Sequence, residues 1–189
     1  STLFPYTTLF RSSKTVSAPS PIFLPFYFGI KIPNDTKLSF HPSLNIFYNY
    51  CLVYENMVLP SEIENRTGTV FSFLLTLPVL YTFNFEQNNN SLEFFAGPSF
   101  LFRFALLSSG ISSTDTGYTG TATEDITYMN KWFYENCRFF YFSLGADFLF
   151  TYEQLRFGPE ISVHLPVAGL IADKTITGFI ASIGLKVVF

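Results

Sequence analysis

A chain of 189 residues is long enough for one domain or one small barrel, and only 13% of it is charged while 20% is aromatic, with 25 Phe. That is more aromatic surface than a soluble core of this size needs, and a net charge of −3 leaves no basic field for nucleic acid. Two cysteines make neither a disulfide scaffold nor a zinc site, and no apolar run of about 18 residues supplies a transmembrane helix.

The first twelve residues, S-T-L-F-P-Y-T-T-L-F-R-S, lack a basic start, an apolar central segment and a small-residue cleavage site, so they do not read as a signal peptide. They resemble translated sequencing-adapter sequence. Residues 1–12 are therefore set aside as non-native, and 13–189 are taken as the domain. The native N-terminus, with any signal peptide, is expected to be missing.

From residue 21 onward apolar and polar residues alternate with period two, the mark of strands with two different faces. Pro21–Ile32 places Ile22, Leu24, Phe26, Phe28, Ile30 and Ile32 opposite Tyr27, Gly29 and Lys31. A turn at 33–36 leads into Leu38–Tyr54, where Phe40, Leu44, Ile46 and Tyr48 oppose Ser39, His41, Ser43 and Asn49. After a polar loop at 55–66, Thr67–Phe83 carries Phe71, Phe73, Leu75 and Val79 on one face. The Asn-rich 84–90 reads as a turn. Leu92–Leu106 sets Phe94, Phe100, Phe102 and Phe104 against Glu93, Gly97, Ser99 and Arg103.

A long Ser/Thr/Gly-rich connection, 108–136, follows; it carries Tyr118, Tyr128, Trp132, Phe133 and Tyr134. Phe139–Tyr152 sets Phe140, Phe142 and Phe150 against Ser143, Gly145 and Asp147. Beyond the turn at 153–154, Leu155–Val167 sets Phe157, Ile161 and Val163 against Arg156, Glu160, Ser162 and His164. A loop at 168–174 precedes the last strand, Thr175–Phe189. There Phe179, Ala181, Ile183, Leu185, Val187 and Phe189 share an apolar face, with Lys186 on the other.

With faces assigned by the aromatics, the charges act as a test. Lys31, Glu93, Arg103, Asp147, Arg156, Glu160 and Lys186 all fall on the opposite face. A bilayer demands this, because a Lys or Arg facing lipid at mid-depth costs roughly 2–4 kcal/mol. Small residues such as Gly97, Gly145 and Gly158 share the charged face, which suits a narrow interior better than an open solvent surface. The competing reading is a soluble β-sandwich with a wet polar face.

Short turns (33–36, 84–90, 153–154) alternate with longer connections (55–66, 108–136, 168–174). In outer-membrane barrels short turns are periplasmic and long loops extracellular. Seven strands are visible, and even counts are the rule for such barrels. The expectation is an all-β, eight-stranded antiparallel up-and-down transmembrane barrel whose native first strand is lost. The pattern T-L-F-P-Y-T-T-L-F of residues 2–10 is able to imitate that strand.

Phe40-His41-Pro42-Ser43-Leu44, Leu77-Pro78, Ala96-Gly97-Pro98, Ser143-Leu144-Gly145-Ala146 and Ile183-Gly184-Leu185 through Phe189 occur in an order that resembles small bacterial outer-membrane β-barrel proteins of the broad porin-family, OmpX/OmpW-like group. The resemblance covers about residues 21–189 and is largely architectural. It implies residence in the outer membrane among its lipids. It also implies a C-terminal assembly signal, Phe179, Ile183, Leu185, Val187 and Phe189, read by the barrel assembly machinery. It supplies no catalytic residue, no metal ligand and no cofactor.

By strand direction, Lys31, Glu93, Arg156 and Lys186 are expected near the periplasmic end of the lumen, Asp147 and Glu160 at mid-height, and Arg103 and His164 higher. Together they form the expected lumen polar network, and a barrel plugged by ion pairs is favoured over a conducting pore. Ser162 and His164, two apart and about 7 Å by strand rise, read as too distant for a nucleophile and its base. His41 reads as an interior hydrogen-bonding group. No H-E-x-x-H, P-loop or G-x-S-x-G motif occurs, so the protein is not read as an enzyme. Cys51 and Cys137 both fall on lumen parity near the extracellular rim, and their pairing stays open. The expected role is structural or surface-interacting, with loop 108–136 as the contact for an extracellular partner. The alternatives are a narrow channel for small or apolar solutes and a lumenal lipid-modifying enzyme.

Overall fold

Period-two alternation is what the backbone follows through most of the chain. The computed structural model describes residues 6–9, 20–33, 37–54, 56–61, 68–85, 90–108, 122–173 and 178–189. The elements in chain order are β1 (Tyr6–Leu9), β2 (Ser20–Pro21), β3 (Phe23–Gly29), β4 (Ile32–Pro33), β5 (Leu38–Phe40), β6 (Ser43–Tyr54), β7 (Met57–Ser61), β8 (Gly68–Thr76), β9 (Val79–Phe85), β10 (Asn90–Ser108), helix α1 (Ala122–Tyr134), β11 (Phe140–Tyr152), β12 (Leu155–Pro166) and β13 (Ile180–Val188).

The strands form one sheet, ordered β2-β1-β13-β12-β11-β10-β8-β6-β3, with β4, β5, β7 and β9 paired alongside. Its ladders are antiparallel, and it curls into a half-barrel. The ladder continues past the last strand, because β13 pairs with β1 (Tyr6↔Ile183 to Leu9↔Ile180) and β1 with β2 (Thr8↔Pro21). Residues 6–9 of the adapter-like segment thus lie in the ladder between β13 and β2. The remainder of the 1–12 segment, residues 13–19, residues 34–36 and 86–89 of the expected turns, residues 55 and 62–67 of the polar loop, residues 109–121 of the long connection and residues 174–177 lie outside the described residues.

The two faces of the sheet differ in the sense that the sequence predicts. Phe28, Phe94, Phe104, Phe142, Ile161, Ile183 and Leu185 are exposed on the convex face. Glu93, Asp147, Glu160, Lys186, His164 and a set of Ser and Thr are buried on the concave one. This is the reverse of an ordinary soluble protein, where buried charge is rare and large apolar patches are few.

Ile22 departs from its expected outward parity. It is buried in the interior with Phe47 and Leu74. The β3–β6 register explains it: Phe23 faces Tyr48, but Phe26 faces Ile46, so β3 holds one extra residue. A single inserted residue turns everything before it to the other face.

Prolines break two long runs without opening the sheet. Pro42 separates β5 from β6, and Pro78 separates β8 from β9, since neither can donate to a ladder. The carbonyls compensate: Ile30 N–H donates to Pro42 O, His41 N–H to Pro78 O and Leu77 N–H to Pro98 O, each at 3.0 Å. The oblique seam needs Gly97, where an added Cβ would lie 2.5 Å from Pro78 Cα and 2.6 Å from Leu77 O. The His-Pro, Leu-Pro and Gly-Pro pairs singled out in the sequence are therefore one feature.

Two expected loops carry regular structure. Within 55–66, Met57–Ser61 folds back on β6 as a hairpin, turning at Asn56 with φ 63°. Within 108–136, Ala122–Tyr134 is helical. Residues 169–173 of the 168–174 loop form a single π-helical turn.

Candidate functional site in the sheet interior

The interior is layered, and β10 passes through every layer, at Glu93, Ser99, Leu101, Arg103 and Ala105. At about 3.4 Å per residue these span some 40 Å of strand.

The first layer, towards the short turns, is an ion cluster. Glu93 Oε1 is 2.8 Å from Lys31 Nζ and 2.7 Å from Arg156 Nη2, and Glu93 Oε2 is 3.6 Å from Lys186 Nζ. Lys186 Nζ lies 2.5 Å from Asp147 Oδ2. The sheet register assembles the acids side by side, with Glu93 opposite Asp147 and Asp147 opposite Glu160. Carboxylates directly opposite one another repel. They are tolerated because the cations Lys31, Arg156 and Lys186 stand among them. Buried charge without such pairing would be prohibitive.

The second layer is made of hydroxyls and imidazoles. Ser43 pairs with Thr76, Ser99 with Ser143, and Ser162 with Ser182. His164 joins two of these pairs, with Nδ1 2.6 Å from Ser143 Oγ and Nε2 3.3 Å from Ser162 Oγ. Tyr27 Oη and His41 Nε2 are 3.2 Å apart, so His41 is an interior hydrogen-bonding group. The Ser162–His164 contact corrects the sequence expectation. Strand rise separates backbones, but a His side chain leaning along the strand closes the gap. Both imidazole nitrogens meet hydroxyls, and the adjoining cavity of about 30 Å³ has room for one or two water molecules.

The third layer is apolar. Ile22, Phe47, Leu74, Leu101, Tyr141 and Ile180 close together across the interior, contributed by strands all around the sheet.

Above it lies the fourth layer, a cavity of about 330 Å³, and α1 forms the fifth. Met129 and Phe133 are fully buried against Cys51, Val58, Val70 and Ala105. β11 pairs with β10 as far as Phe100, and Leu101 N–H still donates to Phe139 O at 2.8 Å, which leaves the backbone of residues 102–108 open on that side. The helix fills the vacancy. Asn130 accepts from Ala105 N–H at 2.9 Å and donates to Ala105 O at 3.1 Å, and Tyr134 O–H donates to Arg103 O at 2.9 Å. Asn130 and Tyr134 are four apart and so share one helix face.

The structure brings Lys31, Glu93, Asp147, Arg156 and Lys186 together as ion pairs, with Glu160 across from Asp147. It sets two residues of the expected polar network apart from the ion cluster. His164 belongs to the hydroxyl layer. Arg103 is cut off from the acids by the apolar layer; its guanidinium carbon sits 4.2 Å from the Phe133 ring centroid and 5.9 Å from that of Trp132. Arg138, which the sequence left unnoticed, stacks 4.3 Å from Trp132 on the same side. Of the C-terminal residues, Ile183, Leu185 and Phe189 are exposed, while Phe179 and Val187 are half-buried.

Cys51 and Cys137 are both free thiols. Cys51 is buried beneath α1, whereas Cys137 is exposed in a left-handed turn (φ 57°) and does not face the interior as its parity suggested. A maleimide should therefore label one thiol per chain in the folded protein, at Cys137, and two after denaturation. Two labels in the folded state would contradict the docked helix.

Comparison with protein-family models, curated proteins and solved structures finds no match for this chain. The fold and its interior are therefore the whole basis for a functional reading.

Proposed function

We propose that the chain is a small bacterial outer-membrane β-barrel protein of the OmpX/OmpW-like kind. The observation that carries this reading is the inverted burial, with phenylalanines outside and charges inside. In lipid that arrangement is favourable on both faces, whereas in water it is costly on both. Eight staves follow if β2–β4, β5–β6 and β8–β9 are each read as one run broken at a bulge or proline. The ladder path then starts and ends on the same run, Ser20–Gly29, which supports a closed barrel. The exposed apolar face of β13 ending at Phe189 fits a strand recognised by the barrel assembly machinery.

Within that reading the protein is a plugged, non-conducting barrel with a structural or surface-interacting role. An apolar layer across a narrow interior is a dewetting barrier, and the ion cluster blocks the other side. The elements on the long-connection end, β7, α1 and the 169–173 turn, are the surface offered to an extracellular partner.

The test is refolding of the full chain into detergent. A compact gel band that shifts on boiling, with no steady conductance in planar bilayers, is expected. A soluble monomer in plain buffer with no boiling shift would overturn the membrane reading, and steady conductance would overturn the plug.

A further inference from the structure

The cavity beneath α1 has a composition that a mere packing defect would not have. Its walls are mostly apolar, with Leu59 and Leu101 among them. Into it face Arg103, Arg138 and Trp132, and no Asp or Glu among the described residues lines it. Arg138 has an acid nearby, with Nη1 3.8 Å from Glu135 Oε2. Arg103 has no ion pair among the described residues. Its nearest polar contact through the guanidinium is Arg138 O, at 3.4 Å from Nη2.

Two donors at the cavity wall are unused. Ser72 is fully buried, and its Oγ has no hydrogen-bond partner among the described residues; the same holds for Arg103 Nε. Ser72 and Arg103 stand directly opposite each other on β8 and β10. Unsatisfied buried polar groups are costly, so a bound group that satisfied these two would be favoured.

We propose that this cavity binds a carboxylate amphiphile, an anionic head on a short apolar body. The Arg103 guanidinium and Ser72 hydroxyl would take the carboxylate. A guanidinium matches a planar carboxylate by paired, charge-assisted hydrogen bonds. The apolar body would lie against Leu59, Leu101 and the Trp132 ring. At about 30 Å³ per water-sized group, 330 Å³ admits roughly eleven heavy atoms, and octanoate has about that many. Exposed Met57 lines the same cavity and marks a route in from outside. The site does not depend on whether the barrel lies in a membrane, so its test is separate from the boiling shift.

Trp132 is the chain's single tryptophan and lines the site, so its fluorescence reports directly. The full chain in a long-chain detergent should give a saturable emission change with octanoate. Octanol and octylammonium, which partition into the same micelles, should act at least tenfold more weakly. Arg103→Gln should raise the half-saturation at least roughly tenfold, the worth of one charge-assisted hydrogen bond, and Arg103→Lys should recover part of it. Ser72→Ala, which leaves the Arg103–Phe133 stack in place, should weaken octanoate several-fold. Equal responses to octanoate and octanol would overturn the proposal. So would an unchanged half-saturation in folded Arg103→Gln or, should that variant not fold, in Ser72→Ala.

Discussion

Glu93→Gln is expected to destabilise the protein by about 3 kcal/mol, the lower end for breaking a buried ion cluster, measured by urea unfolding from lipid vesicles. Glu93 is 1% exposed and accepts from Lys31 and Arg156 on the same oxygen. The neutral amide removes the anion that Lys31 and Arg156 share, and its NH₂ group faces donors. The lower end of the range applies because Lys31 and Arg156 are 26% and 30% exposed and water recovers part of their solvation. Adding Lys31→Met to Glu93→Gln should restore a portion of the loss, since the pair is coupled and the double change removes one charge of each sign. A loss below about 1 kcal/mol in the single variant would mean that the cluster is a solvated surface feature and not a structural one.

The second large effect is expected at Phe133. Truncating a fully buried phenylalanine costs about 3–5 kcal/mol. Here that cost should fall on the docking of α1 and not on the sheet. A helix of 13 residues is marginal alone, so it exists because Met129 and Phe133 bury and Asn130 and Tyr134 satisfy a strand edge. Phe133→Ala should lose helical circular dichroism and let a maleimide reach Cys51, while the boiling shift persists. Protected Cys51 in that variant would show that the helix is held by something other than its apolar face.

Most of the sheet was legible because strand periodicity is strict: one face of each run is aromatic, the other small or charged, and every charge fell on one side. The shared face of these charges was legible for the same reason, but their heights were not: Asp147 and Glu160 were expected above Glu93, and the register sets the three side by side. Ile22 was misread because an extra residue in β3 is invisible to period-two counting. The helix was missed because its Ser/Thr/Gly-rich approach resembles a loop. Its own signals were present: Glu124 and Asp125 in the first turn, and Ile126, Met129 and Phe133 at helical spacing. Arg103 was assigned to the polar network by parity, and strand direction placed it above the acids, but neither shows what lies between. The apolar layer that separates it from the acids is made of residues on the charged face of their strands, Phe47, Leu74, Leu101 and Tyr141, which counting by charge passes over.

The ion cluster also bears on width. A barrel's diameter follows from strand number and shear, the cumulative offset between neighbouring strands. Slipping one strand by a single residue would swing Glu93 or Lys186 out among the phenylalanines, and a slip of two would drive a side chain into the gap that Gly97 leaves beside Pro78. The charges therefore lock the offset between β10, β11, β12 and β13 and, through it, the bore. The cavity beneath α1 takes its cross-section from that locked bore, so shortening the outer connections should alter its lid while leaving its girth unchanged.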